Sequence, residues 1–213
     1  MLFDVGVSGQ ITNFKEGNAK RNANNADFEY AVATFRLRKA LGMTVGLLPY
    51  TNIGYSYTSS TPIGSSTTSN GTYSGSGGIH QALVGLGWNP LKGFSIGVNA
   101  SYLWGSYERT VAIASSDTYV NTLTRTYGAT VTSYKLDMGA QYEFSLGKAD
   151  RMVLGAVYGL GHKLGCDPTM TTTITNPQTS TSTPTPLTAT DALSIPHSFG
   201  VGLTWMRSDA LIV

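Results

Sequence analysis

The sequence predicts an all-β protein, an antiparallel up-and-down transmembrane β-barrel, on three observations. The first is alternation. In YKLDMGAQYEF (134–144) Tyr134, Leu136, Met138, Ala140, Tyr142 and Phe144 alternate with Lys135, Asp137, Gly139, Gln141 and Glu143, which is the period-two signature of a strand with two unlike faces. The second is composition: charged residues make up 12% of the 213-residue chain, about half the roughly 25% of a soluble domain. Ser, Thr, Asn and Gly stand in for them, with 25 Gly and 12 Tyr. The third is a rhythm of connections, short and charged alternating with long and polar, which assigns each connection to one end of a sheet.

Period-two reading places eight strands near 1–12, 27–37, 43–58, 78–89, 93–110, 128–146, 151–164 and 196–206. The fourth carries Ala82, Val84, Leu86 and Trp88 on one face. The fifth sets Phe94, Ile96, Val98, Ala100, Tyr102 and Trp104 against Ser95, Gly97, Asn99 and Ser101. The eighth sets Phe199, Val201, Leu203 and Trp205 against Ser198, Gly200, Gly202 and Thr204. Tight turns are expected at LRKALG (37–42), NPLKG (89–93), LGKAD (146–150) and MRSDA (206–210), and long polar loops at 13–26, 58–77, 111–127 and 166–195. Aromatics fall near strand ends, where amphipathic rings suit a membrane–water interface. A soluble β-protein with an aromatic-rich core is the competing reading, and the scarcity of charge counts against it.

Several classes fall away. No segment approaches the roughly 18 to 20 apolar residues of a membrane-spanning helix. A net charge of +2 and the lack of basic clusters interleaved with aromatics argue against a nucleic-acid partner. Cys166 is the one cysteine, so neither an internal disulfide nor a paired-cysteine metal site is available. His80, His162 and His197 stand far apart, in no metal-ligand spacing, and read as solvated rim or loop residues. No cofactor or metal is expected. There is no G-x-S-x-G elbow and no carboxylate pair beside a histidine, so the chain does not read as an enzyme.

Charged and apolar positions on the enclosed face are the candidate functional residues. Lys135, Asp137 and Glu143 are expected to line a lumen, with Lys135 and Asp137, two apart on one face, placed to pair. Tyr55, Tyr57, Leu83 and Leu103 are inward positions unusually apolar for a hydrated pore. Pro49, within GLLPYTNIGY, lacks the N–H that a ladder uses and marks a strand interruption, an outer strand end or a bulge.

FRLRKALGMTVGLLPYTNIGYSYT (35–58), LVGLGWNPLKGFSIGVNASYLWGSY (83–107) and IPHSFGVGLTWMRSDALIV (195–213) together resemble the outer-membrane barrels of the long-chain fatty-acid transporter (FadL-like) type. The resemblance implies a barrel of about 14 strands, preceded by a plug segment, that passes hydrophobic compounds through the outer membrane. On that plan residues 1–213 form a partial barrel without the plug and the last strands, with Leu211, Ile212 and Val213 starting a ninth strand; a complete eight-stranded barrel is the alternative. Pro49 then becomes a candidate lateral gate. The expected function is a bacterial outer-membrane channel or transporter for hydrophobic or amphipathic molecules, with outer-membrane lipid and such a ligand as partners. The alternative is a structural or accessory barrel that holds partner proteins without transport.

Overall fold

Runs rich in Val, Ile, Thr, Tyr and Phe adopt extended chain because branched and aromatic side chains suit a pleated surface. A computed structural model describes the backbone of residues 1–16, 19–147, 150–207 and 211–212, and the side chains of these apart from 14–16, 19–21, 23–25, 211 and 212. Its strands are β1 (Leu2–Glu16), β2 (Ala19–Arg38), β3 (Leu41–Ile63), β4 (Thr67–Leu91), β5 (Phe94–Ser115), β6 (Thr122–Leu146), β7 (Asp150–Gly159), β8 (His162–Lys163), β9 (Thr169–Thr175), β10 (Ser182–Thr188), β11 (Ser194–Ile195), β12 (Ser198–Arg207) and β13 (Leu211–Ile212). Eleven form one antiparallel sheet in the order β1-β2-β3-β4-β5-β6-β7-β12-β13, with the β9-β10 hairpin joined to β6, while β8 and β11 pair separately. The expected all-β, up-and-down arrangement is present. The sheet is open, with β1 at one end and β13 at the other.

Short turns fall where charge and glycine predict them. Residues 39–40 link β2 to β3, residues 92–93 link β4 to β5 with Gly93 at φ 80°, and Gly147 follows β6 at φ 74°. Residues 148–149 and 208–210, from two further predicted turns, lie outside the described residues, as does Val213 of the predicted ninth strand. Leu211 and Ile212 form β13, pairing with Arg207 and Met206.

The long polar loops are the main correction. Much of 13–26, 58–77 and 111–127 is strand: β3 and β4 stay paired out to Ile63↔Thr67, and β5 and β6 to Ile113↔Leu123. Residues 166–195 supply β9 and β10, which extend the sheet beyond β6. Hydropathy alternation is blind here because Ser, Thr and Gly occupy both faces, whereas ladder bonds need only backbone groups.

Buried side chains are few. Ile79, Leu103, Val131 and Cys166 form one cluster, with Leu103 and Val131 at 0% exposure, and Leu164, Leu193 and Ile195 packed against it. The first three sit on neighbouring strands, in the rows Ile79↔Gly105↔Val131 and Gln81↔Leu103. The cover comes from the chain between β7 and β12, which is closed on itself where Leu164 N–H donates to Leu193 O at 2.9 Å. Glycine makes the strand row beneath it possible. A Cβ on Gly77 (φ 110°) would run into the backbone of Ser106 and Tyr107, and one on Gly105 (φ 151°) into Gly78 and Ile79, so only glycine permits this approach.

Two outcomes follow. Gly105→Ala should cost about 1–3 kcal/mol by backbone strain, whereas Gly97→Ala, whose Cβ meets only Leu86 O at 3.5 Å, should be near neutral; denaturant unfolding in detergent reads the difference. Burial pushes the Cys166 thiol up, and Asp167 adds to it, so thiol-specific labelling at pH 8 should be slow in the native protein. In Leu193→Ala, which uncovers the cluster, labelling should rise by about tenfold or more.

Candidate functional site

Register turns the alternation into two continuous surfaces. Phe35, Met43, Leu86, Val98, Met138, Tyr158 and Phe199 stand side by side in one row across seven strands. Adjacent rows repeat the pattern, as in Leu41↔Trp88↔Ile96↔Ala140↔Ala156↔Val201. Among the described residues no second layer covers this face, and Phe199 and Val201 are 79% and 82% exposed. A sandwich would bury these side chains; here they form an open apolar band.

Aromatic rings close the band at both margins. Near the short turns lie Trp88, Phe94, Trp205 and the pair Tyr142–Phe144, whose centroids are 5.9 Å apart; the Trp205 indole N–H donates to Asp150 Oδ1 at 3.1 Å. At the far margin Tyr102 and Trp104 lie 5.8 Å apart, with His80 5.9 Å from Trp104.

The opposite face is small and polar. Leu83, Ser101 and Lys135 share one of its rows, and Asn99 and Asp137 another. Lys135 and Asp137 form the expected ion pair. Glu143 is bound by Arg151 at 3.1 Å, a pairing that only the β6–β7 register reveals. An open trough of about 720 Å³ runs over this face, floored by Gly97, Gly139 and Gly155 and flanked by Asn99, Asp137 and Gln141. Leu103 does not border the trough; it is buried beneath the covering connection, and Leu83 is half-buried.

Tyr55 and Tyr57 lie elsewhere, on the outer part of β3. They are exposed and continue a ladder to Tyr73, with centroid separations of 6.1 Å (Tyr55–Tyr57) and 4.9 Å (Tyr57–Tyr73). The Tyr55 ring covers Gly75 and the Tyr73 ring covers Gly71. The residues expected to line a lumen or loop vestibule are therefore spread over the polar face: Leu103 lies beneath the connection, Tyr55 and Tyr57 on outer β3, and Asp137 beside the trough.

Pro49 sits at a change of partnership. It stays opposite His80 on β4, and a bulge follows before Thr51↔Ile79. On its other side, β2 and β3 pair only through residues 31–38 and 41–47. Beyond Leu47 the two strands part, β2 continuing with β1 and β3 with β4.

Two histidines fasten the β7–β12 connection, roles that sequence spacing did not signal. His162 is half-buried, stacks on Tyr134 at 4.2 Å and bonds Ser133 Oγ through Nε2 at 3.2 Å. Its Nδ1 is buried with no hydrogen-bond partner among the described residues. His197 Nδ1 accepts from Gly161 N–H at 3.1 Å and lies 2.8 Å from Tyr158 Oη. No cluster of three or more metal-ligating side chains occurs among the described residues.

Compared with known families, residues 1–213 match the BamG family. No curated protein and no solved structure matches the chain. The match overturns the likeness to fatty-acid transporters and the transport function drawn from it, because BamG is a distinct family. The features behind that likeness, alternating strands joined by Asn-Pro or charged turns, are common to membrane sheets and do not separate one family from another. All-β architecture and this family together are consistent with association with the bacterial outer membrane. Since the match runs the length of the sequence, the chain belongs to the BamG family.

Proposed function

We propose that the chain is an accessory element of the BAM complex of the outer membrane, acting by holding protein partners and carrying out no chemistry of its own. The single observation that carries this is the full-length BamG family match. In this reading the sheet is barrel wall: the apolar band faces lipid, and the polar face, already half covered by the β7–β12 connection, faces inward.

Dimensions support the lipid-facing band. From Phe94 to Trp104 the apolar side chains of β5 span ten residue steps, about 34 Å along the strand and, at the roughly 40° tilt of a membrane strand, about 26 Å across the bilayer. That matches the roughly 25 Å apolar belt of outer-membrane barrels, and the two aromatic margins fall at its edges.

The accessory role is tested by affinity purification of the full-length protein from outer membranes in mild detergent. Subunits of the BAM complex should co-purify with it; recovery of the protein alone would overturn the role. The orientation has its own test. Val98→Arg, at the middle of the band, should destabilise the membrane-inserted protein by about 2–4 kcal/mol, whereas Asn99→Arg, one residue along on the polar face, should cost less than about 1 kcal/mol. Unfolding from lipid vesicles measures both, and equal costs would remove the lipid-facing assignment.

A further inference from the structure

The wall is split from within. Above Leu47, residues 48–63 of β3 keep β4 on one side, and among the described residues no strand pairs with the other side. Residues 19–30 of β2 likewise pair with β1 alone. A strand edge left open between two strands that are partnered lower down presents a row of N–H and C=O groups ready for a further strand.

Natural sheets protect such edges with charge, proline or bulges, and this chain does so elsewhere. The free edge of β10 carries Pro184 and Pro186, facing Thr173 and Thr171 of β9, and proline cannot donate to an added strand. The β2 side of the split carries Lys20, Arg21, Asp27 and Glu29 in its sequence. The β3 side keeps its devices to its two ends, Pro49 with the bulge after it and Pro62; between them TNIGYSYTSST (51–61) contains no charged residue and no proline, and its register with β4 is regular. Tyr55 and Tyr57 are exposed, and their rings lean over β4, Tyr55 on Gly75 and Tyr57 on the half-buried Tyr73, which leaves the backbone on the open side of β3 clear of them.

We infer that residues 51–61 of β3 are a strand-accepting edge, which binds an extended segment of a partner protein by backbone hydrogen bonds. This is β-augmentation, in which main-chain bonds supply affinity and alternate side chains supply selectivity. An uncharged, hydroxyl-rich edge with aromatic rings fits a segment of the same alternating Thr, Ser and Tyr chemistry, as an outer-membrane strand has. That the occupant is a protein rests on the accessory role proposed above.

A photo-reactive amino acid placed singly at Ser56, Ser60, Thr72 or Thr185 of the full-length protein, irradiated in intact outer membranes, tests the assignment. Adducts should form at Ser56 and Ser60, with linked residues mapping to an extended segment of a different protein. Thr72, in the middle of β4 with strands on both sides, and Thr185, on the proline-protected edge, should give none. Asn52→Lys/Ser56→Lys should lower the Ser60 adduct by about tenfold, and Thr58→Lys/Ser60→Lys should do the same to the Ser56 adduct should the first pair fail to fold. The inference is overturned by silence at both β3 positions, by equal labelling at Thr185, or by adducts to lipid or glycan, to a second copy of the chain, or to residues 19–30 of the same chain. The two proposals fail separately. Silence at β3 with BAM subunits still co-purifying removes the edge alone, whereas extended adducts at β3 with no BAM subunit co-purifying keep the edge and remove the accessory role.

Discussion

Backbone pairing between neighbouring strands is the constraint on which the whole structure rests. Most folded chains of this length are held by a core from which water is excluded, yet among the described residues here most large apolar side chains are exposed or half-buried and a handful, centred on Leu103 and Val131, are buried. Order must come from the ladders, which run unbroken for most of the length of β3 through β6. In lipid that dependence is strengthened, because an unpaired N–H or C=O has no water to turn to. The same requirement makes the split between β2 and β3 conspicuous: among the described residues it is a place in the interior of the sheet, and not at its two ends, where the governing interaction is left unmade.

The small cluster does a local job. Glycines at 77 and 105 bring β4 and β5 together, and Gly78 brings β4 against Thr51 of β3, where side chains would collide, and the β7–β12 connection is laid over the resulting row. His162 and His197 fasten this connection at its two ends, against Ser133 and Tyr134 on β6 and against Tyr158 and Gly161. Part of the polar face is thereby filled by the chain itself, while the glycine-floored trough toward the short turns stays open.

Much of this was legible before any coordinates. Period-two alternation over 82–104 and 134–144 placed the strands and sorted their faces correctly, and the Lys135–Asp137 pair followed from spacing alone. The polar extensions were not legible: in TSSTPIGSSTTSNGTYSGSG (58–77) hydropathy has no period, although the backbone pairs to the end of the hairpin. Glu143–Arg151 and Tyr57–Tyr73 were hidden for a related reason, since each joins residues on different strands whose meeting depends on register. Family membership was misread because the residues that looked diagnostic are those any membrane sheet selects.

What the sequence by itself determined is the kind of surface the alternating strands carry: apolar on one side, small and polar on the other. Those properties are local, fixed by which side chains alternate along a pleated backbone. Only the tertiary structure decided which strands lie together, that β2 and β3 part after Leu47, and that residues 160–197 fold over Leu103 and extend the sheet beside β6. Pairing is a relation between distant segments, and where Ser, Thr and Gly make every register equally polar, the choice among them is settled by geometry: the glycine contacts, the bulge after Pro49 and the covering connection.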